Sequence, residues 1–163
     1  MEHVKPVADI ALFSFQAYSC FLDKTQGEIN PYSDPGAVRM LLEGNYLYDV
    51  IDIESDIDHY KVVILPDCQR IDSALKEKLD AFLQKGGKIL ASGKSGLYAD
   101  RDAFAFDFGG EYLRESPYSP CYFRPGFEME GLFHTAYVLY TQAEMVSLAS
   151  GTSLGSLEVP YFN

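Results

Sequence analysis

Residues 60–96 read YKVVILPDCQRIDSALKEKLDAFLQKGGKILASGKSG, and this stretch decides the fold. Lys61 to Leu65 is a short apolar run rich in β-branched residues, stopped by Pro66 and Asp67, and it predicts a buried strand. Asp72 suits the N-cap of a following helix. Ile71, Leu75, Leu79, Phe82 and Leu83 recur at i, i+4, i+8, i+11 and i+12, which places them on one helical face. Lys76, Glu77, Lys78 and Asp80 fall mostly on the other. Gly86-Gly87 ends the helix, because a left-handed residue beyond the last turn costs least as glycine. Lys88 to Ser92 predicts a second strand, ended by Gly93. Strand, helix and strand within so short a span predict parallel strands and a right-handed crossover.

Working outward, Val7 to Phe15 predicts a first strand whose apolar run suits a central position. A polar loop follows, with Gly27, Asn30 and Pro31. Ser33 or Asp34 is expected to cap a helix with Pro35 at its first position. Val38, Leu41 and Leu42 stripe that helix, and Gly44-Asn45 stops it. Tyr48 to Ile53 alternates and predicts a strand nearer an edge. The order β-α-β-β-α-β implies three or four strands in a doubly wound, three-layer α/β sheet. Residues 97–134 change character, with many aromatics, frequent Gly and Pro and no helical period. They read as an irregular, aromatic-rich insertion in a single domain spanning 1–163. Residues 135–140, 144–148 and 154–159 read as strands.

The chain has 163 residues, 47% of them apolar, and a net charge of −11. That length can bury roughly 70% of the unfolded surface. The acidity argues against nucleic acid, whose affinity comes from Lys and Arg, and against an anionic membrane surface. Cys20, Cys68 and Cys121 are an odd set without paired spacing, so neither a disulfide framework nor a zinc site is expected. No signal peptide opens the sequence, and no apolar stretch approaches 18 residues. Both a cytoplasmic and a periplasmic setting stay open. An apolar end after a strand is what a piece of a longer chain would show.

Tyr32-Ser33-Asp34-Pro35-Gly36, the pair YDVIDI and YKVVILPD, and the turn GGKILASG resemble the class I glutamine-amidotransferase-like domain found inside glycoside hydrolases. The nearest resemblance is to the β-galactosidase trimerisation domain, which follows a catalytic barrel. It is strongest over residues 32–96. It implies a flavodoxin-like fold, no cofactor and a non-catalytic role in self-association or in docking on the barrel. True amidotransferases place a cysteine nucleophile on the tight turn after the strand that here is Lys88 to Ser92. That position falls on Lys94, and a lysine cannot replace a thiolate in acyl transfer from glutamine. No His-x-Glu pair follows either, since His134 precedes Thr135 and Ala136.

Other motifs fall short of a chemistry. Gly93-Lys94-Ser95 resembles the end of a phosphate loop, but the required earlier glycine is Lys88. The same turn nearly forms a nucleophile elbow on Ser95, with His134 as partner, but Leu97 stands where the closing glycine belongs. Asp52, Glu54, Asp56 and Asp58 alternate like calcium ligands, yet Ile57 and Val63 replace the needed glycine and glutamate. No metal is expected. Cys68 follows the carboxyl end of a strand, where α/β sheets place ligands. A buried small hydrophobe is the plainer reading. His59 and His134 read as packed or surface histidines, and His3 lies in a terminal tail.

The aromatics between Tyr98 and Phe127 allow two readings, stacking on sugar rings or packing within an irregular subdomain. Three functions therefore stand at this point. The first is an accessory oligomerisation domain of a β-galactosidase-like glycoside hydrolase. The second is a carbohydrate-binding module using Tyr118 and Tyr122. The third is a small hydrolase with Cys68 or Ser95 as nucleophile.

Overall fold

A computed structural model describes residues 7–19 and 31–160. The chain divides into two compact units, Met1–Arg101 and Asp102–Asn163. Among the described residues no helix is long and apolar enough to cross a membrane.

The first unit contains β1 (Ile10–Phe13), α1 (Phe15–Ser19), α2 (Ser33–Glu43), β2 (Tyr48–Ile51), β3 (Val62–Leu65), α3 (Ser73–Gln84) and β4 (Lys88–Ala91). Its strands form one parallel sheet in the order β2-β1-β3-β4. The expected doubly wound α/β architecture is present, with four strands. β1 is central, as its apolar run predicts: Ala11, Leu12 and Phe13 are all buried. Right-handed crossovers leave β1 and β3 in opposite directions along the sheet, so α2 and α3 belong to opposite faces.

α3 follows the sequence closely. Asp72 accepts a hydrogen bond from the amide of Leu75 at 2.8 Å and caps the helix. Leu75, Leu79 and Phe82 are buried, as are Val63 and Leu65 of the adjoining sheet. Each such side chain contributes roughly 1.5–3 kcal/mol on burial. Gly86 takes the left-handed conformation that ends the helix. A Cβ on Gly87 would lie 2.3 Å from the Phe82 ring, so that ring can cover the turn only because the position is bare.

The first crossover departs from expectation. The first strand is shorter than Val7–Phe15, because Phe15 already begins α1. Neither Ser33 nor Asp34 caps α2. Its N-cap is Tyr32, without a side-chain bond. The Asp34 carboxylate instead reaches back to α1, accepting from the amides of Phe15 and Gln16 at 3.1 Å and from the Ser14 hydroxyl at 2.8 Å. Ser14 in turn accepts from the Ala17 amide. One buried carboxylate thus satisfies the orphan donors at the start of α1. α2 ends with Gly44 still helical and Asn45 in the left-handed region.

The acidic connection before β3 is tied by its own groups. Asp52 accepts from the hydroxyl and amide of Ser55, at 2.7 and 2.9 Å. Those bonds, the hydroxyl first, hold its carboxyl below the usual range. The Lys78 ammonium donates to the carbonyls of Ile53 and Ser55. Burial lowers its pKa, opposed by Asp52, Asp56 and Asp58.

The second unit is all β: β5 (Gly110–Glu115), β6 (Cys121–Pro125), β7 (Tyr137–Leu139), β8 (Glu144–Leu148) and β9 (Gly155–Glu158). β5 pairs antiparallel with β8, and β6 lies between β7 and β9. β5, bulged between Tyr112 and Arg114, and β6 are paired strands where the sequence suggests an irregular insertion. Their alternation is hidden because both faces carry aromatics or charges. Phe104 packs edge-on against Phe108 and Tyr112, with ring centroids 5.2 and 6.2 Å apart. Phe106 packs similarly on Phe108. The Tyr112 hydroxyl donates to Glu144 at 2.8 Å, and burial followed by that bond raises its pKa.

Candidate functional site

The carboxyl edge of the parallel sheet is where α/β folds place ligands. Here it is closed by a clasp between two turns, residues 92–96 after β4 and residues 67–69 after β3. Gly93 has a φ of +56°, and a Cβ there would sit 2.9 Å from the Asp67 carbonyl oxygen. Only glycine gives both the conformation and the approach. The Lys94 amide donates to the Asp67 carbonyl at 2.7 Å and the Gly96 amide to Gln69 at 3.0 Å. The Ser92 hydroxyl accepts from the Asp67 amide and donates to its carboxylate. Ser95 is 1% exposed, and its hydroxyl oxygen accepts the Gln69 amide at 2.8 Å.

This geometry fixes the surroundings of the predicted residues. Lys94 is half-buried in the turn after β4. Ser95 points into the fold, and its hydroxyl holds a backbone amide. Cys68 is half-buried and forms no disulfide, and its own amide turns back on the Pro66 carbonyl at 2.6 Å. The structure brings Lys94, Ser95 and Cys68 to one edge. Cys20 lies outside the described residues. Nothing local to residue 34 ties Asp34 to α1, although a serine three residues before an alanine amide (Ser14, Ala17) is a capping pattern that could have exposed the short helix.

In the second unit Tyr118 and Tyr122 part company. Tyr118 lines a groove of about 490 Å³ together with Arg114, Glu144, Val146, Leu148 and Val159, among others. Its carbonyl also accepts the Cys121 thiol at 2.8 Å. Tyr122 sits in β6, half-buried, with Val138 and Glu158 as neighbours across the strands. His134 is exposed, ahead of β7. Phe104, Phe106 and Phe108 are occupied with one another. In the first unit the Arg101 guanidinium covers Tyr98 at 3.6 Å.

Residues 39–115 match the β-galactosidase trimerisation domain. Over 68 residues the chain is 35% identical to a β-galactosidase of Alicyclobacillus acidocaldarius, covering 41% of this chain and 10% of that one. The α-L-fucosidase isoenzyme 2 of Paenibacillus thiaminolyticus superposes over 97% of this chain and 24% of its own, with a TM-score of 0.85 and 41% identity. A family 42 β-galactosidase of G. stearothermophilus superposes over 95% of this chain and 24% of its own, with a TM-score of 0.72 and 20% identity. The chain therefore spans about a tenth of the curated relative and a quarter of those solved structures. The parallel sheet and the matched region agree: the chain holds an α/β domain that is similar to the β-galactosidase trimerisation domain over residues 39–115.

Proposed function

We propose that the chain is a non-catalytic accessory domain of a glycoside hydrolase, serving self-association and docking on a catalytic barrel. The observation that carries this reading is the clasp at the sheet's carboxyl edge. The position an amidotransferase gives to its cysteine is Lys94, and the neighbouring Ser95 hydroxyl is buried on a backbone amide. The Ser95 hydroxyl is spent on that amide inside the fold, whereas a nucleophile must reach its substrate. Incubating the chain with aryl β-galactosides and aryl α-L-fucosides tests it. The reading expects no turnover. Turnover abolished by Ser95→Ala or Cys68→Ala in a chain that still folds would overturn it.

The parent's substrate is open between two sugars, and one observation favours the second. Identity to the α-L-fucosidase is 41% over nearly the whole chain, against 20% for the solved β-galactosidase. On this ground we favour a parent that cleaves α-L-fucosides. Assaying the full-length parent on both aryl glycosides decides it, and a preference for galactoside reverses the assignment.

Direct sugar binding by the domain is a separate reading, and Tyr118 is the predicted residue that lines a groove. Titration with galactose and fucose checks it. Saturable binding that is lost in Tyr118→Ala would make this a binding module.

A further inference from the structure

β5 and β8 pair antiparallel, with Gly110 opposite Leu148 and Tyr112 opposite Val146. Continued without interruption, that register would set Arg114 opposite Glu144, a favourable pair of opposite charges. The chain does not take it. A bulge between Tyr112 and Arg114 sets Arg114 opposite Met145 and Glu115 opposite Glu144. Directly opposed residues share a face of the sheet, and like charges there are destabilising. The sheet thus gives up an ion pair and accepts a like-charge pair. Bulges re-aim side chains and recur beside functional sites.

The side chain re-aimed here is that of Arg114. The Glu144 carboxylate stays on the Tyr112 face, where it accepts the Tyr112 hydroxyl at 2.8 Å. Asp102 and Glu115 act on the same hydroxyl through their charge. Arg114, in register with Met145, belongs to the opposite face. Asp and Glu outnumber Lys and Arg by 24 to 13, so anionic partners are abundant. Arg39, Lys61, Lys76, Lys85, Arg101 and Arg124 each pair with one. Arg114 is exposed and pairs with none among the described residues, and it lines the groove of the second unit.

The groove, of about 490 Å³, lies inside the roughly 300–1,000 Å³ of small-molecule sites. Val146, Leu157 and Val159 give it an apolar wall, and Tyr118 adds a half-buried aromatic ring. Glu144 adds a carboxylate whose second oxygen accepts no hydrogen bond among the described residues. A guanidinium takes a carboxylate, sulfate or phosphate through two parallel hydrogen bonds. A chain of net charge −11 repels anions in general, so an anion held here is held by this guanidinium. We propose that the groove binds a sugar carrying an anionic group. Arg114 holds the anion, Tyr118 packs against the ring, and Glu144 accepts a ring hydroxyl. The proposal rests on the sugar-binding reading given above and adds the charge of the ligand and the residue that reads it.

Isothermal titration calorimetry of the whole chain with galactose, galacturonate, galactose 6-phosphate and acetate tests it. Galacturonate or galactose 6-phosphate is expected to bind roughly tenfold tighter than galactose, the size of a charge-assisted hydrogen bond, and acetate no tighter than galactose. Arg114→Gln should remove that preference while circular dichroism is unchanged. Arg114→Lys keeps the charge without the fork and should lose part of it. Charged sugars no tighter than galactose, or a preference that survives Arg114→Gln, overturns the proposal. Acetate as tight as the charged sugars also overturns it, since the groove would then read an anion and no sugar. If galactose binds, is lost in Tyr118→Ala and gains nothing from a charge, the sugar-binding reading stands and this proposal falls. If no probe binds, both fall.

Discussion

The two units are held together by different means. Among the described residues Ala105 and Cys121 belong to the buried hydrophobic core in the second unit, and most of that core lies in the first unit. There a parallel sheet is covered by helices, and apolar burial carries the fold. The second unit has two small antiparallel sheets, half-buried aromatics and close backbone crossings. It also exposes Leu113, Val146, Leu148, Leu154 and Val159. A unit with little core and much exposed apolar surface is suited to presenting surface to another molecule. The clasped turn of the first unit, by contrast, spends its polar groups internally. Under the proposed function, the exposed surfaces of the second unit are where assembly would be sought.

The largest expected effect probes the first unit's core. Phe82→Ala should cost about 3–5 kcal/mol in denaturant unfolding, since Phe82 is 2% exposed and fills the space over Gly87. A cost below about 1 kcal/mol would show that the helix face is not what holds the sheet. The matching probe of the second unit is backbone proximity. Gly109 has a φ of +75°, and a Cβ there would meet the Gly151 Cα at 2.5 Å. Gly109→Ala should cost roughly 1–3 kcal/mol by strain and displacement. Amide exchange should place the loss in β5 and β8.

Smaller effects sharpen the contrast. Asp72→Ala removes the cap of α3 and should cost about 1 kcal/mol, read as a lower melting temperature. The last probe is alkaline. Burial first, and then the hydrogen bond to Asp49 at 2.9 Å, push the Tyr60 hydroxyl up to about 12. The fold holds the neutral phenol, so this stability is complete below about pH 10 and is lost as pH climbs through 12. Tyr60→Phe should flatten that alkaline decline, followed by thermal melts between pH 9 and 12. An unchanged decline would assign it to other groups.

The first unit was largely legible in sequence because its signals are local. A cap at Asp72, a period of 3.6 and a glycine pair at 86–87 each act within a few residues. The central place of β1 and the edge place of β2 followed from their apolar and alternating runs, whereas the full order β2-β1-β3-β4 needed the structure. Asp34 was misread because its partners, Ser14, Phe15 and Gln16, are eighteen to twenty residues away, and a cap supplied from another element leaves no local pattern. In the second unit the aromatic run hid β5 and β6, since Phe104 and Tyr112 meet through packing that alternation cannot show. The clasp was half legible: glycine at 93 marks a tight turn, whereas the burial of Ser95 depends on the Gln69 amide across the turn.

The central claim is that this domain assembles and does not catalyse. The most direct test is the solution mass of the chain by light scattering across a concentration series, with circular dichroism confirming the fold. The account predicts a species of more than one copy that persists on dilution into the low micromolar range. A folded monomer at every concentration would contradict it.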